Sequence, residues 1–204
     1  MKKRVNKVNF ISFVIGITAI LMGFISISCK KSNGSSILKS DSSFTLTSMA
    51  ILSDTLLEAY KCEQKVNGVE NSLPVAWSNA PKTAKAFAMT MVDYPNPKDS
   101  INLNCNLVLW GIPDTTTSIA YGKMNKGPWF IGPNKDGVAC SYTSPCSKGT
   151  GDKQYILKIY ALTGTPSSLP TQNSLSVNYQ VFRQALSTVT IIDSATLIFY
   201  SASH

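Results

Sequence analysis

Five short segments of the sequence have the pattern of β-strands, and turn-forming stretches separate them. They read SFTLTSMA, AKAFAMTMVD, NLVLWGIP, YILKIYAL and ATLIFYSA. The second segment places Phe87, Met89 and Met91 on one face, which is the period of two that a strand requires. Stretches such as PNPKDS and TGTPSS supply the proline and glycine that turns prefer. The pattern predicts a mainly β domain, most simply an antiparallel sandwich.

One late segment, LSVNYQVFRQALSTV, departs from this period. In it Val177, Val181, Ala185 and Val189 recur every four residues, flanked by Phe182 and Leu186, as on the buried stripe of a helix. Ser176 precedes the stripe and is a residue type that caps helices. The segment therefore predicts a C-terminal helix over Val177–Val189 that packs on the sandwich.

The chain begins with a basic heptapeptide and an apolar run, which together are typical of an export signal. The run ends in Ser-Ile-Ser before Cys29, and small residues before a cysteine resemble a bacterial lipobox. This predicts cleavage of residues 1–28 and a lipid on the thiol of Cys29. The alternative is an uncleaved anchor helix over Phe10–Ile27, whose 18 residues are close to the minimum for a membrane span.

Both alternatives predict an exported domain held at a membrane of a bacterial cell envelope, on the periplasmic side or the outer surface. Residues 29–43 are polar and rich in serine, a composition typical of a flexible tether. Residues 44–204 remain, and this length suffices for one domain with a substantial core.

Charge and histidine content exclude several classes of function. The signal carries four cations and no acid, so its removal lowers the formal net charge from +8 to +4. We therefore expect no nucleic-acid partner, because such proteins carry a clustered basic face. The one histidine is His204, the last residue, and histidine is the commonest acid–base catalyst. We expect no catalytic residues, no cofactor and no metal site, and hence no enzyme.

Four cysteines remain after Cys29, namely Cys62, Cys105, Cys140 and Cys146. An even number in an exported protein indicates disulfides, and four cysteines allow three connectivities. Cys140 and Cys146 enclose only five residues, so we predict that they are joined. A Cys62–Cys105 bond follows by elimination. The sequence contains no C-x-x-C pair, and the spacings fit no zinc ribbon.

Five segments in order resemble the phosphatidylethanolamine-binding protein family, in its bacterial Raf-kinase-inhibitor-like branch. They are LTSMAILSDTLLEAYKCEQKVNGVENSLPVAW, AFAMTMVDYPNP, NLVLWGIP, YTSPCSKGTGDKQYILKIYAL and the C-terminal VFRQALSTVTIIDSATLIFYSAS. Together they cover about Phe44 to Ser203. The resemblance implies an antiparallel β-sandwich with a C-terminal helix and peripheral short helices.

The resemblance also implies a small pocket at one end of the sandwich, which in the family takes phosphate-type anions and phospholipid head groups. Asn106 and Lys153 stand where the family has histidines, and Ser147 and Lys148 replace two prolines. Carried over residue by residue, the implied ligand-binding set is Asp93, Asn106, Ser144, Pro145, Cys146, Lys153 and Tyr155.

These replacements leave several hypotheses about the ligand. A zwitterionic head group could place its phosphate on Lys153 and its amine near Asp93. Alternatively, the two side chains pair with each other and close the end of the sandwich. A third interpretation is a protein-interaction or inhibitor module with a vestigial anion pocket and an unknown envelope or host partner.

Overall fold

The computed structural model describes residues 43–96, 102–146 and 150–202. The predicted signal, the lipidation site Cys29 and all of the predicted tether except Ser43 lie outside these residues.

None of the helices in the described part of the chain is long and apolar enough to cross a membrane.

Within the described residues the chain forms ten strands, one α-helix and one short 3-10 turn. The strands are β1 (Thr45–Thr47), β2 (Ile51–Leu52), β3 (Thr55–Leu56), β4 (Val75–Ser78), β5 (Ala86–Asp93), β6 (Asn104–Pro113), β7 (Ser118–Ile119), β8 (Phe130–Ile131), β9 (Lys153–Leu162) and β10 (Ile191–Ser201). The helix α1 spans Tyr179–Leu186, and the 3-10 turn spans Glu58–Tyr60.

The strands form two sheets. The smaller has the order β1-β4-β7, and the larger has the order β2-β3-β10-β9-β5-β6-β8. All the pairings are antiparallel except that of β3 with β10. The predicted mainly β fold with a late helix is confirmed.

The main core lies between the two sheets. Phe87, Met89 and Met91 of β5 all face it, as their alternation predicts. Phe87 contacts Phe44 and Trp77 from the smaller sheet's side, with ring centroids 6.2 and 5.6 Å apart. The other face of β5 is buried as well, because α1 and a second apolar cluster cover it.

The helix begins later than the sequence predicts. The side chain of Asn178 accepts a hydrogen bond from the amide of Val181 at 3.1 Å, so Asn178 is the N-cap. The predicted cap, Ser176, instead shares a hydrogen bond with the hydroxyl of Ser174 at 2.7 Å. An asparagine side chain caps a helix as readily as a serine side chain does, and Asn178 directly precedes the first helical residue, Tyr179.

The buried face of the helix is also rotated from the predicted stripe. Phe182, Ala185 and Leu186 are buried against the second cluster, whereas Val181 is exposed. Of the predicted stripe, Val177 is buried but precedes the first turn. The bulky Phe182 and Leu186 bury more apolar surface than valines would, which determines the orientation.

The larger sheet has two distinct ends. The Asp93 end, as we call it, is where β5 finishes and where β6 and β9 begin, because Asp93 is paired with Asn104 and with Tyr155. The opposite Ala86 end is where Ala86 is paired with Pro113 and Leu162.

Candidate functional site

Asp93 is the centre of a polar cluster at the Asp93 end. Its carboxylate is fully buried, and Oδ2 accepts a hydrogen bond from Nδ2 of Asn104 at 2.9 Å. Nζ of Lys153 lies 3.3 Å from the same oxygen, and the Lys153 side chain is 22% exposed. Asp93 and Lys153 therefore pair with each other, as one of the hypotheses predicts, and part of the Lys153 side chain remains exposed.

Two buried acceptor oxygens near this pair have no hydrogen-bond partner among the described residues, namely Oδ1 of Asp93 and Oδ1 of Asn106. Asn106 lies two residues along β6 from the partner of Asp93, which is about 7 Å of strand. Buried polar groups normally find partners, so such unpaired acceptors indicate a place for a donor from outside the chain.

The segment 142–146, which we call the wall segment, is fixed beside this cluster by hydrogen bonds to strand β6 and to the loop that precedes β4. The amide of Thr143 donates to the backbone oxygen of Asn106 at 2.9 Å. The amide of Ser144 donates to Oε2 of Glu70 at 2.5 Å, and Oγ of Ser144 accepts from the amide of Glu63 at 2.9 Å. Ser144 is thus occupied by the protein itself, whatever else it contacts.

A disulfide between Cys62 and Cys146 completes this attachment. The Cα atoms of the two cysteines are 4.5 Å apart, and the amide of Cys62 also donates to the oxygen of Pro145 at 3.0 Å. Cys105 and Cys140 are free thiols. Both predicted pairings, Cys140–Cys146 and Cys62–Cys105, are therefore wrong.

The positions of the free cysteines explain this difference. Cys105 lies on the face of β6 that packs against the second cluster, away from Asp93. Cys140 is bridged to Pro133 by the backbone and packs on the main core. Cys140 is the nearer of the two candidates to Cys146 in the sequence. In the structure, however, Cys140 is paired with Pro133 and packs on the main core, and it is not bonded to Cys146.

Tyr155 belongs to the core as well as to the predicted site. Its ring is buried and stacks on Phe199, with centroids 5.4 Å apart and an interplanar angle of 13°. Burial raises the pKa of the Tyr155 phenol, and the Asp93 carboxylate raises it further. Burial likewise raises the pKa of Tyr142. Both phenols stay protonated at neutral pH, so each can donate or accept a hydrogen bond.

Of the predicted site residues, the structure brings Asp93, Asn106, Lys153, Tyr155 and the wall residues Ser144 to Cys146 to one end. The neighbouring Ser147 and Lys148 lie outside the described residues. Three contributors were missed by sequence reasoning, namely Asn104, Glu63 and Glu70. Asn104 lies two residues before Asn106 on the same strand, and residues at this spacing share a face of the sheet. This spacing is the signal that could have identified Asn104.

A groove of about 410 Å³ lies beside this cluster, at the start of β6, the turn after Pro133 and the first turn of α1. Cys105 is part of its lining, and neither Asp93 nor Lys153 is. Desolvation by burial raises the pKa of the Cys105 thiol to about 12, which makes the thiol unreactive at neutral pH. The described residues hold no group of three or more His, Cys, Asp or Glu placed to bind a metal.

Comparison with known proteins places this geometry in a family. The family model described as Phosphatidylethanolamine-binding protein matches residues 47–198, which is most of the chain. The chain belongs to the phosphatidylethanolamine-binding protein family. No curated protein sequence matches it significantly.

Solved structures of this family share the fold. A putative phosphatidylethanolamine-binding protein homologue, CT736 from Chlamydia trachomatis, is 21% identical, with a TM-score of 0.63. The match covers 79% of this chain and 99% of that one. YbcL of Escherichia coli, described as a member of the mammalian family, is 20% identical over the same shares, with a TM-score of 0.62.

In this member of the phosphatidylethanolamine-binding protein family, the Asp93 end combines a cation with a buried acid. Lys153 supplies the ammonium, and Asp93 supplies the buried carboxylate that neutralises it. Glu70 adds a carboxylate at the wall segment, and Glu63 contributes its backbone amide. The cluster therefore offers a donor in Lys153 and acceptors in its unpaired oxygens, and no histidine lies among the described residues.

Proposed function

We propose that this protein is a non-catalytic binding protein for a small phosphate-bearing or zwitterionic head group, held at the Asp93 cluster. Membership of the phosphatidylethanolamine-binding protein family supports a binding or inhibitor module of that type. The observation that carries the ligand class is the pair of Lys153 with Asp93, in which the Lys153 side chain is partly exposed and Oδ1 of the carboxylate is unpaired.

Both ends of a zwitterion would find a partner in this arrangement. A phosphate would draw the ammonium of Lys153 outward, because charge-assisted hydrogen bonds to phosphate are strong. The head group's amine would replace that ammonium beside Asp93 and donate to its free oxygen. A buried carboxylate therefore keeps a counter-charge throughout, which avoids the cost of an uncompensated buried ion.

Binding without catalysis is supported by the residue types present. The chain has one histidine, at position 204, and the two buried phenols have raised pKa values. Tethering at Cys29 in a bacterial envelope stays a prediction from the sequence.

Calorimetric titration of the full chain with phosphoethanolamine and with inorganic phosphate tests this function. Lys153→Ala should weaken both ligands by about 1–3 kcal/mol, as expected for a lost charged hydrogen bond. Asp93→Asn should weaken phosphoethanolamine and strengthen inorganic phosphate, because it removes the attraction for the amine and the repulsion of the anion. Lys158→Ala is the matched control, since Lys158 lies on the same strand but over the ring of Tyr160.

Absence of binding by either ligand to the unmodified chain would refute the proposal. Equal losses in Lys153→Ala and Lys158→Ala would show that binding occurs elsewhere.

A further inference from the structure

The groove of about 410 Å³ between the start of β6, the turn after Pro133 and the first turn of α1 is a second concave site, which we call the helix groove. Its volume is within the range of small-molecule sites. Of the Asp93 cluster, only Asn104 is among the described residues that line the groove, and the wall segment does not line it. The helix groove therefore adjoins the candidate site without being part of it.

Asn134 carries a donor in this groove that the protein leaves unused. The residue is only 5% exposed, and it lines the groove. Its Oδ1 accepts hydrogen bonds from the amides of Val138 and Ala139 at 3.0 and 3.2 Å. Because only the oxygen of a carboxamide can accept, Nδ2 is the remaining atom, and it has no acceptor among the described residues. Buried polar groups normally find partners, so Nδ2 indicates a place for an acceptor from outside the chain.

The first turn of α1 adds two backbone donors to the same groove. Asn178, Tyr179 and Gln180 all line it, and the side chain of Asn178 already accepts the amide of Val181. The amides of Tyr179 and Gln180 have no acceptor among the described residues, because the first amides of a helix have no preceding turn to bond to. The helix dipole also places a partial positive charge at this point. The turn therefore favours an anion.

The charged residues of the groove point to the same kind of ligand. Lys135 lines the groove, and its amide donates to Oγ1 of Thr143 at 3.0 Å, which holds the turn in place. No Asp or Glu is among the described lining residues. The neighbouring acid, Asp136, lies outside the lining, and its Oδ2 is 3.5 Å from Nζ of Lys65. Donors and a cation thus converge on a groove whose lining contains no acid.

Part of the groove is apolar. Leu103, Val108 and Pro133 belong to its lining beside the donors. An inorganic anion would contact the donors and leave this apolar surface uncovered, whereas an organic acid would cover both. The lining therefore favours a ligand that joins one acidic group to an apolar body.

We propose that the helix groove binds a small organic anion through its carboxylate or phosphate group. The oxygens of this group accept hydrogen bonds from Nδ2 of Asn134 and from the amides of Tyr179 and Gln180, and Lys135 supplies the counter-charge. Helix N-termini and lysine ammonium groups both bind such oxyanions. The site is independent of the proposed function, since neither Asp93 nor Lys153 lines the groove.

A titration followed by nuclear magnetic resonance tests this site directly. The full chain is titrated at constant ionic strength with benzoate, phenyl phosphate and uncharged benzyl alcohol. The backbone amides of Tyr179 and Gln180 and the side-chain amide of Asn134 should shift and saturate with benzoate, with phenyl phosphate or with both. Benzoate alone would assign a carboxylate ligand, and phenyl phosphate alone would assign a phosphate ligand. Saturation with neither, or equal saturation with benzyl alcohol, would overturn the proposal.

Asn134→Asp is the variant that should affect binding most. It keeps an oxygen for the amides of Val138 and Ala139 but replaces the donor with a negative charge, so affinity should fall by at least about tenfold. The matched control is Asn173→Asp, because Oδ1 of Asn173 accepts the amide of Ile131 at 3.1 Å outside the groove. This control should change affinity by less than about twofold, and equal losses in the two variants would refute the assignment.

Two further variants keep the test independent of folding and of the Asp93 cluster. Lys135→Ala changes an exposed side chain and should weaken binding by about threefold, as expected for a partly screened charge. Lys153→Ala should leave the shifts of Tyr179 and Gln180 unchanged. If Lys153→Ala removes these shifts, or if affinity is unchanged in both Asn134→Asp and Lys135→Ala, the anion does not bind in the helix groove.

Discussion

The two ends of the larger sheet are built from the same three central strands. They differ in what fills them, because one end is packed with aromatic rings and the other contains buried polar atoms without hydrogen-bond partners. At the Ala86 end, Phe44, Trp77 and Phe87 fill the space between the sheets with ring contacts. At the Asp93 end, Oδ1 of Asp93 and Oδ1 of Asn106 lack partners. A non-glycine residue with a left-handed backbone occurs at each end, Cys62 with φ of 46° and Asn79 with φ of 58°. Unpaired groups and unusual backbone conformations cost stability and tend to occur at functional sites.

This difference indicates a division of roles along one set of strands. The Ala86 end contributes stability through apolar burial, although Nε1 of Trp77 is itself unpaired. The Asp93 end presents polar atoms on a frame that a disulfide and loop contacts hold in place. The following substitutions test that division, from the largest expected effect to the smallest.

Removal of the disulfide should have the largest effect. Cys62 and Cys146 are 84 residues apart, so Cys62→Ser with Cys146→Ser should lower the free energy of unfolding by roughly 4 kcal/mol on chain-entropy grounds. Urea denaturation measures this change. Phosphoethanolamine should also bind more weakly, because the wall segment loses its covalent attachment. Cys105→Ser and Cys140→Ser are the controls, and a comparable loss in either would contradict the assigned pairing.

Phe87→Ala should separate stability from binding at the Ala86 end. Removal of the buried ring leaves a cavity between Phe44 and Trp77, so the free energy of unfolding should fall by about 3 kcal/mol. Affinity for phosphoethanolamine, measured where the variant is folded, should not change. A loss of affinity as large as that in Lys153→Ala would show that the two ends do not act independently.

Glu70→Gln should have a smaller effect, confined to the Asp93 end. The substitution weakens the charged hydrogen bond from the amide of Ser144, and a loss of about 1 kcal/mol is expected. Exchange of the Ser144 amide should become faster. The control is Asp114→Asn, an exposed acid at the Ala86 end, for which we expect less than about 0.5 kcal/mol. Equal effects would remove the structural role assigned to Glu70.

The sequence was sufficient for the fold because strand periodicity is a local property. Phe87, Met89 and Met91 face the main core as their alternation predicts. The family resemblance added the order of the segments and gathered Asp93, Lys153 and Tyr155 at one end. Both kinds of signal are carried by residues that are close together in the chain.

What the sequence did not reveal depends on contacts between distant segments. Cys146 is joined to Cys62 and not to the nearer Cys140, because the loop that carries Cys62 packs against the wall segment. Glu70 acts on Ser144, 74 residues away, and no spacing rule connects them. The helix was predicted on the right face at Ala185 and the flanking Phe182 and Leu186, but its bounds were too wide and Val181 is exposed, because the spacing of valines alone does not show where a helix begins and ends.

The Cys62–Cys146 bond also determines how this protein would respond to a protease. Two exposed valines in turns, Val66 and Val138, lie within the segment that the bond closes. A cut at either turn would produce two polypeptides that stay covalently joined and separate on a gel only after reduction. The candidate site would therefore keep both of its loops after a single cleavage.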